Sequence, residues 1–217
     1  MFMAENVSPA KYRHITSIMD RLKGVTESRK KSPTESVRRD ADTPMLFTQI
    51  RQPDTNYLAV PEVSSENRRY IPISFLTSDI IGSNKLYMVS NADKYMFGVL
   101  ISNVHMAWMR TVAGRLELRY SYSPAVYNNF PWCTPTPEQK KRIEETAQAI
   151  LDACAFYSDC SLADLYDAVA MPSELRKAHQ ANDRAVMQAY GFDVKTMTES
   201  SCVAELMKMY QKLVAAR

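Results

Sequence analysis

Apolar residues recur at helical spacing near both ends of the chain and shorten into β-like runs between them. Residues 9–23 place Tyr12, Ile15, Ile18, Met19 and Leu22 on one helical face, with Pro9 in the first turn and Gly24 as the expected stop. The polar piece ESRKKSPTESVRRDADTP follows and reads as a basic, partly exposed connector, broken by Pro33 and Pro44. NYLAVP, RRYIPISFL and KLYMVS, between positions 56 and 90, read as strands, with Pro61 and Pro72 at ends or edges. Asn91 or Asp93 can cap a helix through DKYMFGVLIS, and Ser102 or Asn103 a second through NVHMAWMRTV. Gly114 is the expected C-cap of that second helix. Alternation from Leu116 to Tyr122 then predicts a half-buried strand over 115–122, and AVYNNF predicts a further extended run after Pro124.

The pattern changes at CTPTPEQ. Thr136, Pro137 and Gln139 combine an N-cap, a first-turn proline and the third-position partner of a capping box. The helix they open carries Ile143, Ala147, Ile150, Leu151 and Cys154 on one face. Ser161 with Asp164 starts a helix through LADLYDAV. Pro172 starts another, with Leu175, His179, Asn182, Val186 and Tyr190 aligned and Gly191 at its end. A last helix aligns Val203, Leu206, Met207, Tyr210 and Leu213. The fold class is therefore α+β. A small mixed α/β domain with its N-terminal helical connector occupies 1–133, and an all-helical domain occupies 134–217.

Charge divides along the same line. Residues 1–136 hold 17 Lys/Arg against 12 Asp/Glu, residues 137–217 hold 10 against 12, and positions 11–39 alone hold 9 against 3. A basic first half suits a polyanion, because phosphate contacts supply much of the affinity for DNA; a solvated charged face is the alternative. Hydrophobic content of 46% and charged content of 24% fit a soluble globular chain, and no apolar run reaches the ~18 residues of a membrane span. The N-terminus lacks an apolar signal core, so a cytoplasmic location with no membrane partner is expected. Cys133, Cys154, Cys160 and Cys202 form no CxxC and face no paired histidines, so reduced structural thiols are expected.

Several chemistries are excluded. Five glycines leave no GxGxxG and no phosphate loop, so no S-adenosylmethionine site is expected in this chain. NNFPW lacks the adjacent prolines of the amino-methylating motif that holds a target amine. Asp54 with Glu138-Gln-Lys140 matches a nuclease pattern on paper, but Glu138 falls in a helix first turn, where the dipole alone favours an acid. His14, His105 and His179 stand apart, with no nucleophile placed beside them. No catalytic, cofactor or metal residue is assigned.

One block is richer than the rest. GRLELRYSYSPAVYNNFPW, at 114–132, interleaves arginine with aromatics. With ADTPMLFTQIRQPDTNYLAVPEVSSENRRYIPISFL, DKYMFGVLISNVHMAWMRTVAGRLELRYSYS and ANDRAVMQAYGF, in that order, it resembles the MmeI-like restriction–methylation proteins over nearly all of the chain after about residue 25. The resemblance implies a DNA target-recognition domain followed by a C-terminal helical domain. It implies a parent protein that methylates adenine N6 with S-adenosylmethionine and often cuts DNA, and it implies double-stranded DNA and the parent's methyltransferase domain as partners.

It also implies a base-reading role for the GRLExR positions. Glutamate can accept from the cytosine N4 amine, while arginine donates two hydrogen bonds to guanine O6 and N7. Glu117 and Arg119, two apart on a strand, share a face and can address both members of one C·G pair. A surface ion pair with Arg115 or Arg110 is the plain alternative. Arg115, Arg110, Arg51, Arg68 and Arg69, with Ser64, Ser65 and Asn67 in a polar loop, are further candidates for base or phosphate contact. Trp108, Phe97, Met96 and Val104 are expected in the core, and Tyr127, Phe130 and Trp132 as an anchor to the helical domain. The competing function class is a structural or protein-binding module without base readout.

Overall fold

The computed structural model describes residues 7–49 and 51–215. They form two compact units, Met1–Gln52 and Pro53–Arg217.

The first unit is helical. A 3-10 turn at Pro9–Lys11 precedes α1 (Thr16–Lys30), and α2 (Glu35–Arg39) leads into a second 3-10 turn at Asp40–Asp42. The expected helix over 9–23 thus starts later and does not stop at Gly24, which lies inside α1. A mid-helix glycine costs only about 1 kcal/mol, and Arg29 beyond it ties α1 to the following segment. Tyr12 and Leu22 are buried with Ile18 and Met45 against them. The Arg29 guanidinium is buried and donates to the carbonyls of Asp40 (2.8 Å), Thr43 (2.9 Å) and Leu46 (2.6 Å). One arginine of the basic run is therefore a structural clamp, holding the connector against α1.

The second unit holds two small antiparallel sheets and the remaining helices. β1 (Tyr57–Pro61) is central in the first sheet, flanked by β3 (Ser74–Leu76) and β4 (Leu86–Ser90). Pro61 sits at the last position of β1, opposite Leu86, where a missing N–H costs least. The second sheet has the order β2 (Val63–Ser64), β6 (Arg119–Ser121), β5 (Gly114–Leu116). The single strand expected over 115–122 is in fact the hairpin β5–β6. The eight-residue alternation concealed a turn, because Glu117 and Leu118 carry none of the usual glycine or asparagine signals. Ala113, in an extended conformation, ends the preceding helix in place of Gly114. The run AVYNNF is also helical, as α5 (Pro124–Asn128), because Pro124 supplies a helix N-terminus and Val126 is buried against the helix at Asn103–Val112.

α3 (Lys94–Leu100) and α4 (Asn103–Val112) are capped by the side chains of Asp93 and Ser102 as expected. α6 (Pro137–Ala155) opens on the capping box of Thr136 and Gln139. α7 is only Leu162–Leu165, shorter than expected, and α8 (Ser173–Ala189) and α9 (Glu199–Ala215) complete the unit. Gly191 follows α8 at φ 71°, in the left-handed region that favours glycine.

One core runs through β1, α3, α4, α6, α8 and α9. Phe97, Val104 and Trp108 lie in it, and Met96 is half-buried. Phe130 packs edge-on against His105, Trp108 and Trp132 and also meets Tyr190, the C-cap of the helix Ser173–Ala189, so the expected aromatic anchor is present. The motif ANDR at 181–184 acquires a physical meaning here. The Asn182 amide donates to the Gly98 carbonyl at 2.7 Å and its oxygen accepts from Thr146, while Asp183 accepts from Tyr70 Oη (2.7 Å) and from the Asn103 N–H (2.8 Å). Two adjacent residues of α8 thereby bind α3, α4, α6 and the segment before β3.

Burial leaves two histidines neutral. His105 lies against Tyr122 Oη at 3.1 Å and its pKa is pushed down to about 4; His179 lies against Tyr166 Oη at 2.9 Å and is pushed down to about 3. Both shifts come from desolvation of the charged ring. The unfolded chain takes up protons from about pH 6.5 downward, where the folded chain cannot. The stability these rings confer is complete above that pH and is lost as pH falls toward 4. Burial acts oppositely on Asp183, whose raised pKa favours the folded state on the acid side. The unfolding free energy is expected to fall between pH 6.5 and 4.5 by on the order of 3 kcal/mol. Urea unfolding across this range, with His105→Gln and His179→Gln combined, checks it. A slope unchanged by the double replacement refutes the assignment.

Candidate nucleic-acid interface

The β5–β6 hairpin projects from the end of α4, the most deeply buried helix of the unit. Leu116 pairs with Arg119, leaving a two-residue turn at Glu117 and Leu118. Glu117 adopts φ 58°, which a non-glycine residue enters at a cost of about 1–2 kcal/mol. The turn brings Glu117 Oε2 to 2.9 Å from Arg119 Nη2. The two side chains are adjacent as expected, but through a turn and not along one strand. Both are exposed, so the pair adds little stability.

Cross-strand partners share a face. Arg115 and Tyr120 form one such pair, with the guanidinium 3.8 Å from the ring centroid, and Tyr120 is buried. Arg115 also donates to the Leu118 carbonyl at 2.9 Å. Arg115 therefore holds the turn from the inner face. Leu116 and Arg119 occupy the opposite face, toward solvent. The base of the hairpin is tied on both sides: Trp108 Nε1 donates to the Val126 carbonyl at 2.9 Å, and His105 meets Tyr122. A rigid buried helix thus carries a strained, exposed tip.

β2 pairs with β6 through Val63–Ser121 and Ser64–Tyr120, so the polar loop after β2 lies beside the hairpin sheet. Ser64 is buried, Ser65 half-buried and Asn67 exposed. Arg110 donates to the carbonyls of Arg68 (3.4 Å) and Arg69 (3.2 Å) and pairs with Glu199 at 2.9 Å. Arg68 donates to the Ala163 carbonyl at 3.4 Å, and Arg69 lies exposed over the Tyr70 ring. Tyr70 is itself fixed by Asp183, and burial first, then that carboxylate, raises its pKa. Of these arginines, Arg110 and Arg68 brace the loop while Arg69 and Arg119 are presented outward. Arg51 is exposed in the first unit. That unit also exposes Lys11, Arg13, Arg21, Lys23, Lys30, Lys31, Arg38 and Arg39.

Sequence reasoning missed the two exposed leucines of the hairpin and the bracing role of Asp183. Only the alternation L-E-L-R hinted at the first. No group of three or more metal-ligating side chains is present among the described residues, and none of their helices is long and apolar enough to cross a membrane.

Two family models cover the chain: the MmeI target recognition domain matches residues 2–134 and the MmeI C-terminal domain matches residues 135–216. The chain belongs to the MmeI target recognition family. It is 37% identical over 212 residues to DNA methyltransferase A of Bacillus subtilis (strain 168), covering 95% of this chain and 24% of that protein. It also matches the solved structure of the Type IIL restriction-modification enzyme MmeI in complex with DNA, with a TM-score of 0.91 and 47% identity, over 98% of this chain and 28% of that one. The chain thus spans about a quarter of the length of these relatives. The expected architecture, a mixed α/β region followed by helices, is that of this MmeI relative, and target recognition is the function of the family. A purely structural module is not favoured.

Proposed function

We propose that the chain is the sequence-specific DNA-recognition module of a longer DNA adenine N6-methyltransferase of restriction–modification type. The parent's methyltransferase domain holds S-adenosylmethionine, and the present residues supply specificity without catalysis. Within the module, residues 1–133 read the duplex and residues 134–217 support them. The carrying observation is the exposed Glu117–Arg119 pair, held on a strained turn at the end of a buried helix. Strain retained at a solvent-facing tip, where the ion pair itself adds little, is what a preorganised recognition element requires.

In this reading Glu117 accepts from the cytosine amine and Arg119 donates to guanine O6 and N7 of one C·G pair. Arg69, Ser65 and Asn67 contact the backbone or a neighbouring base, with Arg110, Arg68 and Arg115 positioning them. Arg51 and the exposed lysines and arginines of the first unit supply phosphate contacts. Duplex binding by the full chain is therefore expected to weaken steeply with salt, log K falling by about 0.9 per phosphate contacted for each unit of log salt. Fluorescence anisotropy between about 50 and 200 mM salt measures that slope over the range in which several phosphate contacts show plainly. Binding that is absent, or flat with salt and indifferent to sequence, overturns the reading.

A further inference from the structure

We propose that Leu116 and Leu118 form an apolar contact with the 5-position of pyrimidines in the major groove, making recognition sensitive to the thymine methyl group. The proposal rests on the DNA-recognition reading above. Leu118 is 72% exposed and Leu116 49% exposed, although the unit has a large core in which Leu58, Leu100, Leu165, Leu175 and Leu206 are buried. A single exposed leucine is unremarkable. These two are not scattered. Leu116 lies directly across from Arg119 on the outer face of the hairpin, and Leu118 sits at its apex between Glu117 and Arg119.

The turn chemistry adds weight. A two-residue hairpin turn ordinarily takes glycine, asparagine or aspartate, and here it holds glutamate and leucine. Folding alone does not ask for a leucine there. Arg115 holds the Leu118 carbonyl from the inner face, so the apex does not fold back to cover its side chain. The surface presented outward therefore alternates apolar and charged groups, Leu116, Glu117, Leu118 and Arg119.

That alternation matches one edge of duplex DNA. The groups suited to Glu117 and Arg119, cytosine N4 and guanine O6 and N7, all lie in the major groove. The apolar feature of the same groove is the pyrimidine 5-position, which is adjacent to the cytosine amine and carries the methyl group of thymine. A leucine next to a glutamate that binds the amine meets the 5-position of the same cytosine or of its stacked neighbour. A protein partner is the competing occupant. The Glu117 carboxylate set between the leucines favours the base edge of a nucleic acid, because the core of a protein interface is depleted of glutamate.

The test changes the DNA and leaves the protein untouched. The full chain is first titrated with a duplex library to define its preferred site. Each thymine of that site is then replaced by uracil, and each cytosine by 5-methylcytosine, one at a time. At the C·G pair or the step beside it, a methyl group is expected to change affinity by roughly fourfold, the worth of burying one such group. Leu118→Ser with Leu116→Ser should abolish that sensitivity while retaining the salt slope and, both sites being exposed, the melting temperature. Two results overturn the proposal: a preferred duplex indifferent to the 5-position throughout, or a sensitivity that persists in the serine variant. If the wild-type chain prefers no duplex, the recognition reading itself fails.

Discussion

Replacing Gly98 by valine is expected to unfold the second unit at physiological temperature and abolish DNA binding. The ideal Cβ at this position lies 2.7 Å from Ile143 Cγ2, 3.0 Å from Asn182 Oδ1 and 3.2 Å from the Ala147 Cβ. All three neighbours sit on helices in the middle of the core, and none is the free end of a flexible chain. Overpacking costs about 1–3 kcal/mol for an added methylene in such a site, and valine adds three carbons. The same substitution pushes on Asn182, whose amide satisfies the Gly98 carbonyl. Losing that bond leaves a buried acceptor unpaired, for a further 1–3 kcal/mol or so. Gly98→Ala should already lower the melting temperature by several degrees, at about 2–4 °C per kcal/mol for a chain of this size. Gly24→Ala is the matched control. It is mid-helix with nothing within 4 Å of its Cβ, and should raise the stability of the first unit by up to about 1 kcal/mol. Thermal unfolding of the three variants decides the matter. A Gly98→Val protein that melts within a degree or two of wild type contradicts the packing described for α3 and α6.

Exchanging the charges of the hairpin pair is expected to move base preference at one position and leave the rest of the site alone. Arg119→Asp by itself replaces the ion pair, 2.9 Å between Arg119 Nη2 and Glu117 Oε2, by two neighbouring carboxylates, and should weaken recognition without creating a new one. Glu117→Lys with Arg119→Asp restores the complement in the opposite sense. The lysine then meets guanine acceptors and the aspartate the cytosine amine, so preference should pass from C·G toward G·C. Each good contact discriminates by ~1–3 kcal/mol, about tenfold to a hundredfold. Site preference of the chain in a duplex library, or methylation-site sequencing of the full-length parent, reads the change. A double variant that keeps the original base everywhere with undiminished affinity reduces the pair to an ordinary surface ion pair. Glu117→Gly separates the two roles of this position. It relieves the positive φ and should preserve or improve stability while losing the base preference.

Much was legible before any coordinate. Local signals determined the capping box at Thr136, the caps at Asp93 and Ser102, the stop at Gly191 and the apolar faces of α6, α8 and α9. Each depends on residues within a turn or two of one another, and caps and periodicity are properties of that range. The block at 114–132 also announced itself, because it sets charged Arg115, Glu117 and Arg119 among aromatic residues.

What the sequence could not decide followed from longer-range packing. Gly24 stands inside a helix because Arg29, further along, draws the connector back onto α1. The 115–122 run is a hairpin because β6 finds β2, more than fifty residues earlier, leaving a turn at residues that look like strand. Glu117 and Arg119 are neighbours for that reason, and not through the period-two spacing that first suggested it. The arginines were indistinguishable as letters. Burial and partners sorted them, with Arg29, Arg68, Arg110 and Arg115 holding backbone carbonyls and Arg69 and Arg119 facing outward. A guanidinium performs either task with the same five donors, so only the tertiary structure, by fixing which carbonyls lie within reach, selects between support and presentation.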